Sequence, residues 1–114
     1  MKGKIVISRF WTRLFSLGKA KGVTVFPFIF LFHSSYIQDE VLINHERIHI
    51  RQAIEMAIVP FYIWYIVEFV IRYLRFWDFN KAYLSISFEK EAYAKEKDLN
   101  YLSTRSFWGF SKYL

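Results

Sequence analysis

The chain has 114 residues, a length that suits one folded unit, so we expect a single domain over residues 1–114. Hydrophobic residues make up 54% and aromatic residues 22% of the sequence, which excludes a disordered chain. Cysteine is absent, which excludes disulfides and thiolate metal sites. Any metal must therefore be held by His, Asp or Glu, the usual ligands of catalytic zinc sites.

The formal net charge of +6 is concentrated at the start of the chain. Residues 1–38 contain six basic residues and no acidic one, whereas residues 39–114 contain ten of each. A basic segment of this kind suits an anionic lipid surface or an acidic partner. No nucleic-acid-binding signature accompanies it, so we expect no nucleic-acid partner.

Residues 4–17 predict an amphipathic helix that ends at Gly18, and a strand over residues 4–8 is the alternative. The apolar positions at helical spacing are Ile7, Phe10, Trp11, Leu14 and Phe15. This helix belongs to a basic amphipathic N-terminal segment, residues 1–21. Its apolar face is expected either to pack on the core or to make peripheral membrane contact through residues 7–17.

Residues 23–32 are β-branched and aromatic and follow Gly22, which predicts a strand. Pro27 cannot donate a ladder hydrogen bond, so the strand should lie at a sheet edge or carry a bulge. An edge strand at this point of the chain could receive a peptide substrate as an added strand. The alternative is an ordinary half-buried strand.

The motif His45-Glu46-Arg47-Ile48-His49 is the strongest functional signal. On a helix, His45 and His49 lie on one face, one turn apart, and can together hold a zinc ion while Glu46 reaches a bound water. Gln52 falls on the same side and is expected to support the ligands. The alternative is a central helix with two buried, hydrogen-bonded histidines. Either Ser35 with Gln38, or Asp39 alone, should cap this helix, and Pro60 should mark its other end.

A second helix is predicted over residues 61–76, followed by a polar break at residues 78–81. Ser87 should cap a third helix over residues 88–102, and a short last helix is predicted over residues 106–113. Together with the strand, these elements predict an α+β fold that is mostly helical.

A catalytic zinc site needs a third protein ligand, for which His33, Glu89 and Glu91 are candidates. The first motif is followed by the block Glu89-Lys90-Glu91-Ala92-Tyr93, and the pair resembles the HExxH and ExxA motifs of the gluzincin metallopeptidases. The resemblance implies a minimal zincin-like core with Glu89 as the zinc ligand and Glu91 as the alternate. Tyr93 stands where that family usually has an Asp that supports a ligating histidine. Residues 25–114 also resemble a group of short, uncharacterised bacterial proteins classed with the metallopeptidases.

These features predict a zinc-dependent metallopeptidase in which Glu46 activates a zinc-bound water and Tyr101 or His33 donates to the oxyanion. The expected partner is a peptide or protein substrate. The opposite wall of the cleft is expected to come from a second copy of the chain or from another partner, or to be missing. One alternative is a non-catalytic, metal-containing module that binds a membrane surface or another protein. The other is a zinc hydrolase that acts on something other than a peptide, such as a cell-wall amide or a small molecule.

No secretory signal is expected, because Arg9 and Arg13 interrupt the apolar residues that follow the basic start. The longest uncharged run, residues 56–67, is shorter than the roughly 20 residues of a membrane span. The alternative is that residues 56–74 cross a bilayer with two paired charges shielded. We expect a cytoplasmic protein, either free or associated with a membrane surface.

Overall fold

The computed structural model describes residues 3–16 and 20–114, in which a small mixed sheet packs against a larger helical part. The strands are β1 (Lys4–Ile7), β2 (Gly22–Val25) and β3 (Phe28–Leu31). The sheet order is β1-β3-β2, with β1 parallel and β2 antiparallel to β3.

Helical elements make up most of the remaining described chain. The α-helices are α1 (Arg9–Ser16), α2 (Glu40–Glu55), α3 (Val59–Phe76), α4 (Phe79–Ser85), α5 (Ser87–Lys95) and α6 (Tyr101–Thr104). Short 3-10 helices cover Ser34–Gln38 and Gly109–Tyr113. The predicted class, α+β and mostly helical, is confirmed.

The N-terminal segment combines both structures that were predicted for it. Residues 4–7 form β1, and α1 begins at Arg9, where the Ser8 hydroxyl accepts a hydrogen bond from the Trp11 amide at 3.1 Å. A serine in this position supplies the acceptor that the first turn of a helix needs. The predicted helix end at Gly18 lies outside the described residues.

The single strand predicted over residues 23–32 is wrong. The segment is a hairpin in which Phe26 and Pro27 form the turn between β2 and β3. Both sides of Pro27 are β-branched or aromatic, so the pattern alone does not distinguish a bulge within one strand from a turn between two. The edge strand that lies next to α2 is therefore β2, while β3 is central.

Helix α2 is the central element, buried between two apolar clusters. Asp39 caps it, as predicted, by accepting a hydrogen bond from the Leu42 amide at 3.1 Å. The sheet-side cluster contains Ile29, Leu31, Ile43 and Ile50. The cluster on the other side contains Ala53, Met56, Phe61, Ile86, Phe88 and Phe110. Burial on both sides fixes the rotation of α2 about its axis, and with it the direction of His45 and His49.

A tight turn joins α2 to α3. Ala57 and Ile58 have φ angles of 58° and 70°, and the Val59 amide donates to the Ala57 carbonyl at 2.9 Å. These angles are unfavourable for side chains with a Cβ, so the surrounding packing must hold the turn. Pro60 lies in the first turn of α3, where a missing N–H costs nothing.

The turn bends the chain by 113° between α2 and α3. In residues 3–16 and 20–114, no helix by itself has the length and apolar character of a membrane span, although α2 and α3 taken as a bent pair do.

The chain after α3 departs from the predicted pattern in four places. The polar break at residues 78–81 is the start of α4, whose cap is Asp78. The helix predicted over residues 88–102 ends at Lys95. Of the helix predicted over residues 106–113, only Gly109–Tyr113 is helical, and it is a 3-10 helix rather than an α-helix. Ser87 does not cap α5, because its hydroxyl donates to Glu68 Oε1 at 2.6 Å.

Candidate metal centre

Two histidines and one carboxylate converge between α2 and α5. Glu89 Oε1 lies 3.1 Å from both His45 Nε2 and His49 Nε2, and the two nitrogens are 3.2 Å apart. All three residues are buried, with 3–5% of their surface exposed. The cluster could hold a metal ion.

The hydrogen bonds behind His49 determine which ring nitrogen faces the cluster. Gln52 donates through Nε2 to the Phe88 carbonyl at 3.1 Å and to Glu91 at 2.8 Å, so its amide orientation is fixed. Gln52 Oε1 then faces His49 Nδ1 at 2.8 Å and accepts a hydrogen bond from the Nδ1–H group. In the neutral ring, this leaves the Nε2 lone pair of His49 directed at the cluster.

His45 is held in the same way by a carboxylate. Its Nδ1 lies 3.2 Å from Glu96 Oε1. Tyr93, which stands in the family's Asp position, does not take this role. Its ring packs edge-on against His45, with the centroids 4.4 Å apart, and its hydroxyl contacts that of Tyr83. The supporting carboxylate therefore comes from Glu96, two helical turns after Glu89.

A tyrosine from α3 orients the third ligand candidate. The Tyr65 hydroxyl donates to Glu89 Oε2 at 2.6 Å, which leaves Oε1 to face both imidazoles. Burial and the neighbouring Glu89 charge raise the pKa of Tyr65 well above its ordinary value, so the hydroxyl remains a donor.

The spacing of the three atoms suits a tetrahedral metal. Ligand atoms about 2.0–2.1 Å from a zinc ion at tetrahedral angles lie about 3.3 Å from one another. The three observed distances of 3.1–3.2 Å are close to that value. In the same space, two imidazole lone pairs and an anionic oxygen face one another, which is unfavourable unless a cation or a proton lies between them.

A proton takes that place in the metal-free protein. Burial disfavours the charged imidazole, but the Glu89 carboxylate outweighs it and raises the pKa of His49 to about 9. The same contacts hold the pKa of Glu89 below its ordinary value despite burial. At neutral pH a metal must therefore displace a proton from His49, and its affinity should increase with pH.

Glu46 lies beside the cluster without joining it. The Thr24 hydroxyl of β2 lies 3.0 Å from Glu46 Oε2, to which it donates, and 3.2 Å from the Glu46 carbonyl. Burial raises the pKa of Glu46, although the nearby His49 and His45 favour the charged form. A carboxyl group with a raised pKa, next to a candidate metal centre and close to an edge strand, suits a general base.

Three other candidate residues have different contacts. Glu91 accepts hydrogen bonds from Tyr101 at 2.6 Å and from Arg105 at 2.5 and 3.0 Å, in a buried ion pair. The Tyr101 hydroxyl thus donates its hydrogen bond to Glu91 rather than to the cluster. His33 is exposed and accepts from the Ser35 amide at the start of a 3-10 helix. Of the acidic candidates, the structure brings only Glu89 to the two histidines.

Sequence reasoning missed Thr24, Tyr65 and Glu96. Glu96 lies seven residues after Glu89, a spacing that places both on one helical face, and this signal was available. Thr24 and Tyr65 are 22 and 24 residues away in sequence from the side chains that they contact, so only the tertiary fold identifies them.

Removing the Glu96 carboxylate should weaken metal binding without destroying the centre. We expect Glu96→Gln to lower metal affinity by about 10–100-fold, because a neutral amide supports the His45 ring less strongly. Competition with a chromophoric chelator measures the change. Asp98→Asn, an exposed substitution two residues later, is the matched control. Equal affinities for both variants would show that Glu96 does not support His45.

No family model, curated protein or solved structure matches this chain. The gluzincin resemblance therefore depends on the motifs at residues 45–49 and 89–93 and on the cluster that they form. The two imidazoles and the carboxylate of this cluster could together hold a metal ion.

Proposed function

We propose that this protein is a zinc-dependent metallopeptidase with a minimal gluzincin-like centre. One observation carries the proposal. Three candidate ligand atoms, two from α2 and one from α5, lie close enough together to share a metal ion, and a buried carboxyl group outside this set lies beside them. A purely structural zinc site usually has four protein ligands, whereas three leave a position for water or substrate.

The side chains of the site would have two roles, metal binding and proton transfer. His45, His49 and Glu89 would hold the ion. When bound, zinc would polarise the scissile carbonyl and lower the pKa of the attacking water. Glu46 would accept the proton of that water and pass it to the leaving amine, and its hydrogen bond from Thr24 directs one carboxylate oxygen towards β2.

Strand β2 supports a peptide as the substrate. It is an edge strand of the described sheet, and its Thr24 side chain contacts the proposed base. A peptide added alongside β2 would pass close to Glu46. The Tyr62 hydroxyl accepts a hydrogen bond from the Phe26 amide and donates one to the Thr24 carbonyl, so the peptide backbone would have to replace those hydrogen bonds. This arrangement, with an edge strand beside the helix α2 that carries both histidines, is the basis for proposing a zincin-like core.

The burial of the centre favours a second candidate, a non-catalytic module in which the metal stabilises the fold. His45 and His49 are each only 5% exposed, and every side chain of the cluster has a supporting contact. In that case metal removal would lower stability, and no peptide would be cut.

The test compares metal-free and zinc-loaded protein on a mixture of unstructured peptides. We expect the metal-free protein to be inactive and stoichiometric zinc to restore cleavage, because the ion is needed for carbonyl polarisation. Mass spectrometry of the products identifies the cut bonds. The same samples are unfolded thermally. A zinc-dependent rise in melting temperature without cleavage of any peptide would favour the non-catalytic module.

A further inference from the structure

One side of α3 exposes a continuous aliphatic surface, which we call the α3 face. It consists of Ile63, Ile66, Val67, Val70, Ile71 and Leu74, each 47–61% exposed. The spacing of these residues places them on one side of the helix. A soluble protein rarely exposes an apolar surface of this extent unless something binds to it.

The opposite side of α3 packs against the rest of the protein. Phe61 and Glu68 are buried there, and Tyr65 reaches Glu89. Glu68 accepts hydrogen bonds from the Ser87 amide at 2.7 Å and from Trp64 at 3.1 Å. The only carboxylate of α3 therefore points inward, and the exposed side of the helix carries no acidic group.

We infer that the α3 face docks on an anionic lipid bilayer, with the helix lying in the membrane surface. The end of the face has the composition of a membrane interface, since Tyr73, Arg75 and Trp77 are all exposed there. Aromatic and basic side chains of this kind favour the headgroup region. The net charge of +6, which residues 1–38 supply, adds a long-range attraction of the whole chain to anionic lipid, whereas it would repel a second copy of the same chain.

The fold holds α3 on the membrane rather than through it. Its inner side chains pack against α2 and α4, so only one side is free to enter the lipid. A helix docked in this way lies parallel to the surface, with its apolar side chains among the acyl chains. Because Tyr65 leaves the opposite side of the same helix, the metal centre would lie about one helix diameter, roughly 10 Å, from the lipid.

Co-sedimentation with vesicles tests the inference and does not depend on catalysis. The full chain is mixed with phosphatidylcholine vesicles with or without phosphatidylglycerol. We expect binding that is strongest with phosphatidylglycerol and at least about tenfold weaker for Ile63→Glu/Ile71→Glu, because two charges would enter the apolar region. Ile37→Glu is the matched control, since Ile37 is 48% exposed on a 3-10 helix away from α3.

A single labelled cysteine provides a second measurement that does not require a charged substitution. The chain has no cysteine, so Val70→Cys and Ile37→Cys each give one site for an environment-sensitive fluorophore. We expect vesicles to shift the emission to the blue at position 70 and to leave position 37 unchanged. Failure of the wild type to bind vesicles, or equal shifts at both positions, would overturn the inference. So would a dimer in ultracentrifugation that Ile63→Glu/Ile71→Glu dissociates, because the occupant would then be a second copy.

Discussion

Replacing Glu46 with glutamine should abolish peptide cleavage while leaving zinc bound. Glutamine has the same shape and can still accept the hydrogen bond from the Thr24 hydroxyl, but it cannot take up a proton. General-base catalysis typically contributes about 10²–10⁴-fold to a rate, and we expect a loss of that size in kcat for Glu46→Gln. Because Glu46 is not among the three ligand candidates, zinc content should stay stoichiometric.

Stability provides a further expectation for the same variant. Burial already disfavours the ionised form of Glu46, so a neutral amide should not lower the free energy of unfolding. Glu40→Gln makes the same chemical change at an exposed position of α2 and serves as the control. Unchanged cleavage by Glu46→Gln would rule out this base, and loss of zinc from it would mean that Glu46 is a ligand rather than a base.

The local part of the metal centre could be predicted because it depends on helical periodicity. His45 and His49 are one turn apart, so any helix through them brings their rings together. Gln52 follows His49 by three residues, and it contacts the His49 ring. Glu89 could not be predicted from periodicity, because it is 40 residues from His49 in sequence and only the packing of α2 on α5 brings the two together. The resemblance of residues 89–93 to the gluzincin motif was the signal that pointed to it.

The strands were harder to predict for a physical reason. Residues 23–32 have uniformly high β propensity, and the turn at Phe26 and Pro27 contains none of the Gly, Asn or Asp residues that usually mark a hairpin. For the C-terminal segment, the prediction was wrong for a different reason. Residues 96–100 contain no Gly or Pro, so the sequence does not show where α5 ends. The chain there instead follows tertiary contacts, with the Asn44 amide donating to the carbonyls of Glu96 and Asp98.

Glu89 and Glu91 should respond in opposite ways to the same substitution, and this contrast separates a ligand from a structural carboxylate. We expect Glu89→Gln to lose more metal affinity than the about 10–100-fold that removal of a supporting partner costs, because an anionic ligand atom itself is removed. Glu91→Gln should keep stoichiometric zinc. Dialysis against a zinc buffer, followed by metal analysis, measures both variants.

In unfolding measurements, Glu91→Gln should lower the free energy of unfolding more than Glu89→Gln does. Glu91 is fully buried against Arg105, and breaking a buried ion pair from one side typically costs about 3–5 kcal/mol. Arg105 keeps a second partner in Glu55 at 2.7 Å, which places Glu91→Gln at the lower end of that range. In the metal-free state, Glu89→Gln should be the milder change, since His49 can give up its proton once the neighbouring carboxylate is gone. If instead Glu91→Gln released the zinc and Glu89→Gln retained it, Glu91 would be the ligand and the convergence of Glu89 with the two histidines would have no metal-binding role.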